Sequence, residues 1–245
     1  MNFVGEMRDQ GSVLDFLMSQ PNVMPRLNDR VLSSATRYLD MTGGGADGTK
    51  DVQSLSARDL TIRLADSASY VASTTSTKKL IPISIWLAMD VTLPAGRELV
   101  RNAVDYVRNS RLIRLSLVHN SGTLLTSNQV QYVELLQMAI RSNDIRLLDK
   151  LLKEENAQAL MDGSKSGADF GMTLDDDSSV DLELHQLFCS RVLEFLPAQR
   201  GLVINGRVIG NSTVMIVNFM QFDFIVFEFF FFFNFFFSMS PRTIE

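Results

Sequence analysis

Gly43, Gly45 and Gly48 satisfy G-x-G-x-x-G, a spacing that turns backbone N–H groups toward a pyrophosphate when it joins a strand to a helix. Here the glycines sit in "TGGGADGTKD" (42–51), which follows a helical pattern and leads into none, so the stretch reads as a linker. Thr49-Lys50 also reverses the order that a G-K-[ST] phosphate loop needs. Asp175, Asp176 and Asp177 contain the D-x-D spacing that can hold a metal and a nucleotide sugar. A metal needs further oxygen ligands in a rigid setting, whereas this triplet precedes a helical pattern with Ser178 and Asp181 at capping-box spacing. Acidic side chains there suit the positive end of a helix dipole, and the triplet reads as cap and solvation. His119 ends an apolar run and His185 falls on the polar side of its helix, neither with a partner for nucleophilic chemistry visible in the sequence. Cys189 lies mid-helix beside Phe188 and reads as a small buried thiol. No catalytic, cofactor-binding or metal-ligating residue is assigned from the sequence.

The bulk properties narrow the function classes. The 245 residues carry a formal charge of −5 with 46% hydrophobic content, enough for a packed core and without the clustered basic face that nucleic acid requires. A single cysteine excludes an intrachain disulfide framework and a cysteine-based zinc site. "MNFVGEMRDQ" lacks the basic start and apolar run of a secretory signal.

The elements that must position these residues follow from periodicity. "SVLDFLMSQ" (12–20) predicts a short helix, and 24–41 continues as helix after Pro25. Residues 52–77 give no firm period. "LIPISIWLAMDV" (80–91) is a strand buried on both faces, 94–110 a helix opened by Pro94, and "LIRLSLVHN" (112–120) a second strand. Together they make a βαβ unit. Helices follow over 128–142 and 144–162, with Gly163 as a stop. A polar loop leads to a helix over 181–196, ended by Pro197. Two branched runs then flank Asn205-Gly206, the strongest short-range hairpin signal.

This outline is an α/β fold, a thioredoxin-like sandwich with a helical insertion at about 125–180 and its closing helix missing. Redox members of that fold carry C-x-x-C at the start of the helix after their first strand. Here Pro94-Ala95-Gly96-Arg97 stands in that place, so disulfide exchange is not expected.

Three blocks carry a closer resemblance: "QPNVMPRLNDRVLSSATRYLDMT" (20–42), "IPISIWLAMDVTLPAGRELVRNAV" (81–104) and "CSRVLEFLPAQRGLVINGRVIG" (189–210). They resemble the fourth thioredoxin-like domain of the UDP-glucose:glycoprotein glucosyltransferase family, and "LLKEENAQALMDG" (151–163) looks like that domain's insertion helix. The resemblance implies a redox-inactive scaffold segment in the endoplasmic reticulum lumen. Its parent re-glucosylates misfolded N-glycoproteins as a folding quality-control sensor. By the same implication the partners are misfolded glycoprotein clients and neighbouring domains of the parent. The parent's UDP-glucose and divalent metal belong to a separate glycosyltransferase domain that nothing here matches, so no cofactor is expected in this chain. Two alternatives stay open at this point: a thioredoxin-type oxidoreductase and a tail-anchored membrane protein.

The division expected is N-terminal helices and Gly-rich linker from a preceding region (1–51), thioredoxin-like domain (52–210) and an anomalous tail (211–245). Of 17 phenylalanines, 12 fall between Phe219 and Phe237. Residues 213–237 are long enough to span a bilayer, but Asp223 and Glu228 would sit near its middle. Because TTT and TTC encode Phe, and Gly210-Asn211 can be encoded with an intron-like GTAA, the tail reads as intron read-through; membrane contact is expected only if it is real. A missing closing helix leaves Leu202, Ile204, Val208 and Ile209 with too little cover.

Overall fold

The computed structural model describes residues 37–40, 50–73, 81–174 and 180–210. By compactness the chain divides into Met1–Tyr38 and Leu39–Glu245. In the first unit the described residues are Arg37–Tyr38, a two-residue strand where the sequence predicted helix. The helix at 12–20, the glycine-rich loop up to residue 49, the aspartate triplet and the tail lie outside the described residues.

In the second unit the strands β1 (Val71–Ala72), β2 (Ile83–Met89), β3 (Ile113–His119), β4 (Gly201–Ile204) and β5 (Arg207–Ile209) lie in the order β5-β4-β2-β3-β1. The centre is the parallel pair β2–β3, in register from Ile83 opposite Ile113 to Met89 opposite His119. β4 runs antiparallel to β2, β5 to β4, and β1 to β3. Helix α2 (Pro94–Asn109) makes the crossover between β2 and β3.

The strands split their side chains between two cores, as period-2 geometry requires. Ile85, Leu87, Met89, Leu115, Leu117, Leu202 and Ile204 enter one core with Val100, Val104 and Val107 of α2. Trp86, Ala88, Val118 and Val203 enter the other, against Leu60 and Leu64 of α1 (Ala57–Ser67) and Phe188 and Cys189. Each fully buried aliphatic side chain is worth about 1.5–3 kcal/mol relative to exposure. Leu202 and Ile204 are therefore covered, contrary to the sequence expectation, while Val208 and Ile209 are half-buried.

Between β3 and β4 the chain inserts α3 (Ser127–Arg141), α4 (Ile145–Leu151) and α5 (Glu154–Met161), all contributing to the first core. Thr126 and Gln129 form a reciprocal capping box at the start of α3. The single helix expected over 144–162 is two, parted at Leu152–Lys153, where Lys153 turns extended (ψ 133°) as the N-cap of α5. Gly163 ends α5 with φ +82°, the left-handed conformation a glycine stop adopts. The helix expected over 181–196 is α6 (Leu182–Leu187) followed by a π-helical turn at Phe188–Val192. Asp181 is its N-cap and accepts from the Leu184 N–H at 2.9 Å, while Ser178, the other member of the expected capping box, lies outside the described residues. The β4–β5 hairpin turns at Asn205 (φ +47°) and Gly206 (φ +85°), the two positive φ angles a type I′ turn demands.

Candidate functional site

At the end of β2 the chain passes through Asp90 into the first turn of α2, where a redox thioredoxin would hold its cysteines. Pro94 opens the helix at N1, where its missing N–H costs nothing. Gly96 is required by packing: a Cβ there would lie 1.9 Å from the Asp90 carbonyl oxygen, so this turn rests directly on the strand end.

Arg97 closes the turn. Its side chain is 0% exposed, and its guanidinium makes four hydrogen bonds. Nη1 donates to the carbonyls of Val91 (3.1 Å) and Thr92 (2.6 Å), while Nε and Nη2 donate to Glu154 Oε2 (3.1 Å) and Oε1 (2.6 Å). The bidentate fork suits a planar guanidinium and could not be matched by lysine. Glu154, 52% exposed, opens α5; the hydrogen bonds from Arg97 hold its carboxyl below the usual carboxylate range. Arg101, one turn on, donates to the Leu152 carbonyl at 2.6 Å. Two arginines of α2 thus fasten the inserted helices to the sandwich beside the position a cysteine pair would occupy.

Asp90, buried at the same end, fixes the loops. Its Oδ1 accepts from Thr92 N (2.9 Å) and Thr92 Oγ1 (2.6 Å), and its Oδ2 from Gly122 N (2.8 Å). Asn120 Nδ2 donates to the carbonyls of Leu196 (2.9 Å) and Gln199 (2.8 Å). The loops that follow β2, follow β3 and precede β4 are tied together by these side chains.

The sequence-singled histidines come together, though not as a reactive pair. His119 is buried, with Nε2 4.0 Å from Asp90 Oδ1 and no hydrogen-bond partner for either ring nitrogen among the described residues. Burial lowers its pKa, against an opposing pull from Asp90. His185 is buried too, not on a polar face: its Nδ1 accepts from the His119 backbone N–H at 3.2 Å. That bond requires neutral imidazole with the proton on Nε2. Burial, with His119 nearby, pushes the His185 pKa down to about 3. Cys189 sits in the second core, its thiol pushed up to about 12 by burial, so the nucleophilic thiolate is suppressed. Among the described residues no group of three or more His, Cys, Asp or Glu is placed to hold a metal ion.

Sequence reasoning missed Asp90, Arg97, Glu154 and Asn120. Asp90-x-Thr92 is a local turn signal that could have been found; the Arg97–Glu154 pair spans 57 positions and leaves no local trace.

Residues 51–228 match the family model described as a thioredoxin-like domain. This chain belongs to the thioredoxin-like domain family. Within it, the chain is similar to UDP-glucose:glycoprotein glucosyltransferase 1 of Rattus norvegicus and of Homo sapiens, each 29% identical over 231 residues, 85% of this chain and 15% of the relative. The Drosophila melanogaster UDP-glucose:glycoprotein glucosyltransferase is also 29% identical, over 220 residues, 85% of this chain and 14% of that protein. The resemblance to UDP-glucose:glycoprotein glucosyltransferases read from the three sequence blocks is what these relatives return, at the level of the protein and not of one numbered domain. The chain thus spans about a seventh of the length of the curated relatives it matches. Among solved structures it is similar to the Trx3 domain of UGGT in its detergent-unbound form, at 20% identity and TM-score 0.43, covering 67% of this chain and 94% of that one. It is also similar to Proteus mirabilis ScsC in a transitional conformation, at 14% identity and TM-score 0.48, covering 93% and 98%. In this thioredoxin-like domain the helix start carries Pro94-Ala95-Gly96-Arg97, with Arg97 locked inward.

Proposed function

We propose that this chain is a non-catalytic, client-facing segment of a UDP-glucose:glycoprotein glucosyltransferase, most like the fourth thioredoxin-like domain, acting in the endoplasmic reticulum lumen in glycoprotein folding quality control. The observation that carries the reading is the alignment of 85% of the chain with relatives of that name. The locked Arg97 in place of a thiol supports a scaffold role, because its five donors have no nucleophilic lone pair to offer. The clients proposed are misfolded glycoproteins, and the neighbours are other domains of the same protein. UDP-glucose and a divalent metal are assigned to a domain outside this chain. Among the described residues no helix is long and apolar enough to cross a membrane.

Equilibrium sedimentation of the full chain with a reduced, alkylated glycoprotein and with its native form tests the reading. Binding of the unfolded form alone is expected. Equal binding of both forms, or of neither, would overturn the client-facing role.

A further inference from the structure

Beside the tied loops lies a cavity of about 320 Å³ between α6 with its π-helical turn and the segment entering β4. Several irregularities converge on it. Ser190, within the π-helical turn Phe188–Val192, lines it, and single π-helical turns concentrate at functional sites. Glu194 (φ +54°) and Ala198 (φ +59°) both hold left-handed backbone without being glycine. Such conformations each cost on the order of 1–3 kcal/mol and persist where the surroundings enforce them. Between them Phe195 and Pro197 line the cavity, and Leu196, which separates the two in the chain, is 72% exposed.

The lining selects a ligand class. Asn120 is buried, with both donors of its amide taken by the carbonyls of Leu196 and Gln199; among the described residues nothing donates to its Oδ1. Gln186, exposed on the α6 face, has an amide with no partner among the described residues. Glu183 receives a hydrogen bond from Gln53 on Oε1, leaving Oε2 available. Ser190 directs its hydroxyl hydrogen to the carbonyls of Gln186 and Leu187, leaving its oxygen an acceptor. The site is rich in acceptors and carries one carboxylate. No lysine or arginine lines it, and the neighbouring Arg191 commits its guanidinium to the backbone and side-chain oxygens of Gln53 at 2.8 and 3.0 Å. Phosphates and other anions are therefore disfavoured. Phe195 is only 7% exposed, so a sugar or nucleobase finds no open ring to stack on. What fits is a donor-rich chain with an apolar part: backbone N–H groups toward Asn120 and Gln186, an aliphatic side chain on Leu196, and a cationic head toward Glu183.

We infer that this cavity binds an extended polypeptide segment bearing an aliphatic residue next to a lysine or arginine. The inference rests on the client-facing reading above and places the contact at the end of the sheet where redox thioredoxins hold their cysteines. The test titrates the capped peptide acetyl-Ala-Leu-Lys-Ala-amide into ¹⁵N-labelled full chain. Saturable shifts at the Gln186, Ser190 and Leu196 amides are expected. Leu196→Ser and Glu183→Gln, both on exposed side chains, should each weaken binding at least about fivefold with an unchanged urea midpoint. Replacing the peptide's lysine with glutamate should do the same. No saturable shifts, or affinity indifferent to both substitutions, overturns the site. The outcomes separate it from the wider reading. If an unfolded glycoprotein binds but the peptide neither shifts these amides nor competes, the client role stands and this site falls. If the peptide binds here but unfolded glycoprotein does not, the site stands alone.

Discussion

Replacing Arg97 with alanine probes the buried side chain that stands at the helix start where redox thioredoxins carry a cysteine. Its guanidinium makes charge-assisted hydrogen bonds to the carbonyls of Val91 and Thr92, each worth about 1.5–3 kcal/mol. The pair with Glu154 adds only about 0–1 kcal/mol, because the carboxylate is half exposed and screened by water. Arg97→Ala also empties a fully buried volume, and the total expected loss is about 3–7 kcal/mol. Glu154→Ala should cost less, about 1–2 kcal/mol, since water reaches the guanidinium from the side that Glu154 leaves open. Urea denaturation of the two single variants and the double variant gives both costs and their coupling. The pH dependence has a fixed sign. The Glu154 carboxyl is held below its ordinary value, so its contribution is present above about pH 4.5 and is lost as pH falls through the folded-state value. A loss below about 1 kcal/mol for Arg97→Ala, or a larger loss for Glu154→Ala, would refute the view that the arginine acts mainly on the strand-end carbonyls.

Other perturbations read neighbouring parts of the same end. His185 is buried neutral with a pKa near 3 against an ordinary 6.5, so the unfolded chain binds more protons and stability falls as pH drops from about 6.5 toward 3. Between pH 7 and about pH 5 this site alone should remove about 2 kcal/mol, and His185→Asn should flatten the urea-midpoint profile across that window. Cys189 should resist Ellman's reagent in the folded chain and react at once in denaturant, because its thiol is both buried and raised to about 12. Gly96→Ala should lower the urea midpoint sharply, since a Cβ 1.9 Å from a backbone oxygen forces the α2 start off the strand end.

Part of this architecture was legible because it is local. The apolar runs of β2 and β3 need only burial on both faces, and Asn205-Gly206 announces its own turn through the φ angles it tolerates. Helix α1 was missed because charged residues interrupt its stripe, although Ser56 three residues before Asp59 caps it and was there to be read. The break at Leu152–Lys153 has no proline or glycine to mark it; it lets Glu154 start a new helix against Arg97. His185 was placed outward by helical spacing, but β3 supplies a backbone donor that draws it inward. The candidate cavity depends on loops joined across 76 and 79 positions by Asn120, a distance at which periodicity carries no information.

An insulin-reduction assay with dithiothreitol strikes most directly at the central claim, that this thioredoxin fold works without a reactive thiol. Turbidity should develop at the background rate of dithiothreitol whether or not the chain is present. Acceleration that scales with chain concentration and disappears on Cys189→Ser would show a working redox centre and contradict the scaffold reading.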